Sequence, residues 1–253
     1  MKVIAFVNQK GGVAKTTSAL NIGAALAIAG KSVLLVDLDP QGSLSKCAGF
    51  RSLEAPTTYE VIKDGADINQ AIRTKAAVAP YDVLPTDIRM SGAEIELISV
   101  PGRDTLLKEA LEDLKKPYDY ILIDCSPSLN ILTLMALTAA TEVIIPVAAQ
   151  YMPLDGMAQL LPTIELVKKR LNKGLEIGGV LITMYDGRLN LSKEVVEAVK
   201  ARFPKQTFKT VVKNNSKLAE APTYGKDIFE YAPKSTGADA YRAVAVEIRE
   251  REG

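Results

Sequence analysis

Lys10 and Lys15 bracket the turn Gly11-Gly12-Val13-Ala14 and are followed directly by Thr16 and Thr17. A glycine pair can bend backbone N–H groups around an anion, an ammonium can neutralise phosphate oxygens, and a threonine hydroxyl is a magnesium ligand. Together these are the parts of a nucleotide phosphate cradle, although Gln9 and Ala14 replace both outer glycines of the usual G-x-x-x-x-G-K-[ST] pattern. Two further places carry carboxylates: Val36-Asp37-Leu38-Asp39-Pro40-Gln41-Gly42 and Ile123-Asp124-Cys125-Ser126-Pro127. Each follows a β-branched and leucine run, and open α/β sheets bind ligands beyond the carboxyl ends of such strands. A lone aspartate there often only caps the next helix. Three strand-end sites in one chain favour a shared chemical task. Histidine is absent, so general-base chemistry by imidazole is excluded and carboxylates and lysines must do the work.

The elements that would position these residues alternate along the chain. Strands are expected near 2–7, 32–36, 82–84, 120–124, 142–147 and 178–184, with helices over 16–29, 104–115, 155–171 and 192–202. That alternation predicts an α/β fold, a doubly wound and mostly parallel sheet with helices on both faces. No Pro/Gly/Ser-rich linker or composition shift divides the 253 residues, and 47% apolar content is ample for a core, so 1–253 reads as a single domain. Cys47 and Cys125 are isolated, and no signal peptide precedes the first strand, which predicts a reduced, cytoplasmic protein. The apolar stretch from Ile131 to Ala149 contains Glu142 and Pro146 and reads as helix then strand, not as a membrane span. The charged segment from Val244 to Gly253 lacks the bulky apolar face of a membrane-surface helix. With 31 basic and 30 acidic residues, overall charge implies no nucleic acid, but Lys200, Arg202, Lys205, Lys209, Lys213 and Lys217 recur within a short stretch. Such a run is either a solvated face or a phosphate-contacting one.

The segment from Lys10 to Thr16 resembles the deviant Walker A loop, usually K-G-G-V-G-K-T, of the ParA/MinD group of P-loop ATPases. Ala14 departs from that pattern, at a cost on the order of 1 kcal/mol if the position needs positive φ. Asp37 to Gly42 resembles the family's Walker A′ motif, D-x-D-P-Q-G, and Tyr120 to Ser128 its Walker B strand. The match continues through Met90-Ser91-Gly92-Ala93-Glu94, Arg103-Asp104-Thr105-Leu106-Leu107 and Ile182-Thr183-Met184-Tyr185-Asp186-Gly187-Arg188. It extends to Leu218-Ala219-Glu220-Ala221-Pro222 and Tyr231-Ala232-Pro233-Lys234-Ser235, and is nearest to the Soj-like ParA branch.

The resemblance implies a weak, Mg²⁺-dependent ATPase that binds nucleotide through Lys10, Gly11, Gly12, Val13, Ala14, Lys15, Thr16, Thr17 and Met184. Lys10 would cross to the partner's phosphates in an ATP-dependent homodimer, Lys15 would hold the β- and γ-oxygens, and Asp39 would position the attacking water. Thr16 and Asp124 would hold the metal, with Asp37 supporting that site and the switch geometry. Arg188, Lys213 and Lys217 would contact nonspecific double-stranded DNA, although Lys213 and Asn214 replace a proline and an arginine of the family pattern. A ParB-type centromere-binding partner, a nucleoid-associated cytoplasmic location and no membrane contact are also implied. No helix-turn-helix module precedes the first strand, so specific operator binding is not expected. Rival readings are a positioning ATPase for a protein cargo such as a carboxysome or chemoreceptor cluster, and a MinD-like septum-site regulator. A cluster-binding relative, prompted by Cys125, and a binding module that never hydrolyses ATP complete them.

Overall fold

In the computed structural model, which describes residues 1–150, 157 and 159–251, alternation along each strand sorts apolar side chains onto two faces. The strands are β1 (Lys2–Phe6), β2 (Val33–Leu38), β3 (Arg73–Lys75), β4 (Tyr81–Leu84), β5 (Tyr120–Cys125), β6 (Glu142–Ala148) and β7 (Glu176–Thr183). They form one sheet in the order β3-β4-β2-β5-β1-β6-β7. Only the β3–β4 pair is antiparallel. Val3, Ala5, Leu34 and Val36 face one core, whereas Ile4, Phe6, Val33 and Leu35 face the other. Nearly continuous apolar strands follow from this, since both faces are covered.

The helices are α1 (Lys15–Ile28), α2 (Ser43–Cys47), α3 (Thr58–Asp64), α4 (Ile68–Ala71), α5 (Met90–Glu96) and α6 (Leu106–Glu112), then α7 (Ile131–Ala139), α8 (Leu160–Arg170), α9 (Asn190–Arg202), α10 (Ser216–Glu220), α11 (Ile228–Tyr231) and α12 (Thr236–Glu250). Of the expected helix over 155–171, residues 155, 156 and 158 lie outside the described residues. α1 has little amphipathicity because it is enclosed on all sides, between the sheet and α12. Gly23 permits the close approach to the sheet: a Cβ there would stand 2.5 Å from Leu35 Cδ2. Tyr241, Val244, Ala245 and Ile248 of α12 are buried in the same core, so the apolar residues of the charged C-terminal segment serve packing. Among the described residues, no helix is long and apolar enough to cross a membrane.

Two differences from the expected elements bear on the site. β2 continues past the expected end at Val36 through Asp37 to Leu38, so Asp37, like Asp124 within the expected strand 120–124, is a paired strand residue and not a loop residue. Their backbones complete the parallel ladder while their side chains project at its carboxyl end. The edge strand β3 had no pattern to announce it, since Arg73-Thr74-Lys75 neither alternates nor contains an apolar residue.

Candidate nucleotide site and basic cleft

The loop between β1 and α1 is fixed from behind by Asn8, whose side-chain amide donates to the Pro146 carbonyl at 2.7 Å while its Oδ1 accepts from the Lys10 N–H at 3.0 Å. Asparagine favours such local turns, and its position at the strand end was the available sequence signal. On the β7 side, the buried Thr183 hydroxyl donates to the Val13 carbonyl at 3.1 Å. Gly12 has φ +72°, and Ala14, which caps α1 without a side-chain hydrogen bond, has φ +65°. The strain that substitution of glycine entails is therefore present, and the fold carries it.

Lys15 lies at the first position of α1, is 7% exposed, and donates through Nζ to the Lys10 carbonyl at 3.2 Å. Burial depresses its pKa, while Asp124, Cys125 and Asp39 oppose that shift in decreasing order. The next residue, Thr16, donates its hydroxyl to Asp124 Oδ2 at 2.7 Å. Asp124 Oδ1 is buried with no hydrogen-bond partner. Burial and the adjacent Asp37 push the Asp124 carboxyl well above the usual carboxylate range, against the pull of the Thr16 hydroxyl and Lys15. Burial likewise pushes Asp37 up to about 7. A pocket with an orphaned carboxylate oxygen, a neighbouring hydroxyl and a deficit of positive charge fits a hard divalent cation. One carboxylate and one hydroxyl leave the remaining positions to water and phosphate, as magnesium prefers.

Asp37 itself turns away from an open ligand role. Its Oδ2 accepts from the Ser45 backbone at 2.7 Å and the Ser45 hydroxyl at 2.6 Å, and its Oδ1 accepts from the Asp39 N–H at 3.2 Å. Asp39 is half-buried at the turn, where its Oδ1 accepts from Gln41 N at 2.9 Å. The structure thus gathers Lys15, Thr16, Asp39 and Asp124 at the carboxyl ends of β1, β2 and β5, with Asp37 beneath them. Lys10 stands exposed at the loop. Asn8, Thr183 and Ser45 are supporting residues that the sequence motifs did not single out.

At the opposite flank, the chain after β7 passes through Met184, half-buried with φ +51°, to Arg188. Tyr185, Asp186, Gly187, Arg188 and the segment from Lys213 to Ser216 line a cleft of about 460 Å³. Backbone pairing of Tyr185 with Val212 and Asn214 holds its two walls together. Arg188 is 89% exposed and grips Asp186 through two hydrogen bonds, Nε to Oδ1 at 2.9 Å and one terminal nitrogen to Oδ2 at 2.6 Å. That grip lowers the Asp186 carboxyl to about 2. Lys213 is exposed at the rim, and Lys217, on α10 one turn beyond, pairs with Glu220 at 2.8 Å and lies over the Tyr231 ring. Arg188 and Lys213 are therefore brought to one cleft, with Lys217 beside it and engaged elsewhere. Among the described residues, no group of three or more His, Cys, Asp or Glu side chains is disposed to enclose a metal ion alone.

Comparison with known proteins assigns the relationship. The profile of the family described as an AAA domain matches residues 1–177. The chain is 48% identical over 248 residues to the sporulation initiation inhibitor protein Soj of Bacillus subtilis, covering 98% of each. It is 44% identical to the chromosome partitioning protein ParA of Caulobacter vibrioides, covering 100% of this chain and 95% of that protein. Among solved structures, a cobyrinic acid a,c-diamide synthase from Mycobacterium smegmatis with bound ADP and magnesium aligns with a TM-score of 0.87 at 36% identity. That alignment covers 100% of this chain and 95% of that one.

Proposed function

The chain belongs to the Soj/ParA family of deviant Walker A ATPases, and from that premise we propose that it is an ATP-driven DNA-partitioning switch acting through one domain, residues 1–253. The convergence of Lys15, Thr16, Asp39 and Asp124 at one sheet end carries this reading. The amides from Gly11 to Thr17 and the buried Lys15 ammonium hold the triphosphate, and Met184 flanks the nucleotide from the end of β7. Thr16 and Asp124 would hold magnesium, which when bound would supply charge neutralisation on the phosphate oxygens. Asp39 orients the attacking water, and Asp37 fixes Asp39 through its N–H. No histidine competes for that task.

Two protomers close face to face, each exposed Lys10 reaching the partner's phosphates, where an added cation stabilises the charge of phosphoryl transfer. Closure places two copies of the cleft bearing Arg188, Lys213 and Lys217 on one particle. Doubling the phosphate contacts raises affinity for DNA without base recognition, so nucleotide state sets occupancy. A ParB-type protein accelerates hydrolysis and release, and the protein resides in the cytoplasm on the nucleoid. The test is binding to nonspecific duplex DNA with ADP, with ATP and with ATP at raised salt, using wild type, Arg188→Glu and Asp39→Ala. ATP-selective, salt-sensitive binding that Arg188→Glu weakens about tenfold or more, and that Asp39→Ala prolongs, is expected. No binding in any nucleotide state would remove the DNA arm and turn the reading toward a protein-cargo switch.

A further inference from the structure

Behind Asp39 runs a short series of buried hydrogen bonds with Ser45 at its centre. The single Ser45 hydroxyl is used twice: it donates to Asp37 Oδ2 at 2.6 Å and accepts from the Thr86 N–H at 2.9 Å. Its own N–H, in the first turn of α2, reaches the same carboxylate oxygen at 2.7 Å. Asp37, Ser45 and Thr86 are at most 2% exposed. From Asp37 the series continues to the Asp39 N–H, so the segment bearing the water-positioning carboxylate hangs on a carboxylate that Ser45 orients. On the far side, Thr86 lies in the loop between β4 and α5, and Gly42 packs so closely on it that a Cβ at 42 would stand 3.0 Å from the Thr86 carbonyl.

We propose that Ser45 is a positioning residue for ATP hydrolysis: its hydroxyl locks Asp37, and through it Asp39, against the backbone of Thr86. The inference rests on the ATPase reading above. Hydroxyl stoichiometry makes the argument specific. Only a group that donates to Asp37 and accepts from Thr86 at the same point satisfies both. Losing the hydroxyl leaves the Thr86 N–H orphaned and removes one of two donors from the Asp37 oxygen, freeing the Asp39 turn to shift. Phosphate binding depends on the loop from Gly11 to Thr17, on the other side of β5, and is spared. Ser45 therefore affects kcat and leaves ATP affinity nearly untouched, a separation that a purely structural residue would not produce.

The experiment compares wild type, Ser45→Ala, Ser45→Cys and Ser45→Thr in ATP turnover, in ATP affinity by calorimetry and in thermal melting. Ala and Cys are expected to lower kcat by about 10- to 100-fold, the effect of misplacing a reacting group by a fraction of an ångström to an ångström. Their ATP Kd should stay within about threefold of wild type, and Thr, which keeps the hydroxyl, should recover kcat to within about threefold. Cys fills the space with a thiol that hydrogen-bonds only weakly, so it reports on the hydroxyl even if Ala leaves a destabilising void. Wild-type kcat in Ala or Cys, or kcat and affinity falling in parallel, would overturn the assignment. A wild-type protein that turns over no ATP would overturn the ATPase reading itself, and this inference with it.

Discussion

The nucleotide end of the sheet and the cleft beside Arg188 both collect charge, and they treat it in opposite ways. At the sheet end, Asp37 and Asp124 are fully buried neighbours in the β2–β5 ladder, one carboxylate oxygen lacks any partner, and the one cation among them, Lys15, is itself desolvated. At the cleft, Arg188 is paired two residues away with Asp186 and Lys217 three residues away with Glu220, all near solvent. Buried like charges are costly to ionise and remain so until a ligand of opposite charge arrives, whereas exposed local pairs cost and gain little. The first region stores electrostatic free energy for one specific ligand. The second, on the proposed DNA binding, would only adjust how readily its cations are released to a polyanion.

The largest expected effect that tests this contrast comes from Asp124→Asn. The amide carbonyl can still accept from Thr16, while the ionisable carboxyl beside Asp37 disappears. ATP turnover should fall by about 10²- to 10³-fold. In alkaline buffer, where the wild-type carboxyl must ionise in a site that raises its pKa, the nucleotide-free variant should melt about 2–8 °C higher than wild type. Calorimetric melting and a phosphate-release assay read the two together. Loss of turnover with a lowered Tm would mean that the site stores nothing and that Asp124 is structural.

Asp37 carries the corresponding pH dependence. Its folded-state value, about 7, lies above the ordinary unfolded value near 4. The folded state therefore binds the extra proton between those limits, and stability contributed by this group is complete below about 4 and is lost as pH rises to about 7. In urea melts of the nucleotide-free protein, the difference between Asp37→Ala and wild type should consequently grow less unfavourable to the variant as pH rises from 5 to 8. A constant difference would place Asp37 outside this buried cluster. Binding of magnesium and ATP should also release a proton, since Asp124 must ionise to receive the cation.

The contrast also explains what could be read from residue order alone. The cradle from Lys10 to Thr17, the carboxylates at 37, 39 and 124 and the parallel α/β sheet were legible because buried strands and phosphate loops impose apolar runs and fixed spacing. The registry that sets Asp37 beside Asp124, the Ser45 bridge to Thr86 and the Asn8 brace were not, because each joins residues distant in sequence through tertiary contacts. Of the lysine run at 200–217, Lys213 lines the cleft. Lys217 is engaged with Glu220 and Tyr231, and the groove is completed by Arg188 from a different segment. The short helices and β3 carry too little periodicity to show.

A smaller effect separates backbone strain from charge at the nucleotide end. Ala14 holds φ +65° where glycine would be unstrained. Ala14→Gly should relieve about 1–2 kcal/mol of left-handed strain and lose about 0.5–1 kcal/mol through the greater freedom of the unfolded chain, for a net gain of about 0–1.5 kcal/mol. Urea denaturation measures it directly. A destabilised glycine variant would show that the alanine methyl contributes packing that outweighs the strain.

The smallest effect addresses the cleft itself. Asp186 offers Arg188 two carboxylate oxygens in the geometry that a DNA phosphate would use, so on the proposed function a bound polyanion would have to displace an internal competitor. Because the pair is exposed and screened, the competition is weak, and Asp186→Asn should tighten ATP-dependent binding to nonspecific duplex DNA by only about two- to fivefold. The same variant should leave ATP turnover without DNA unchanged, since Asp186 lies outside the triphosphate cradle. Affinity that rises at low salt and converges with wild type as salt increases would identify Asp186 as a surface tuner of the kind the contrast describes. Weaker binding would instead mean that its carboxylate is needed to hold the Arg188 loop in shape, and that the cleft, like the sheet end, depends on a fixed internal anion.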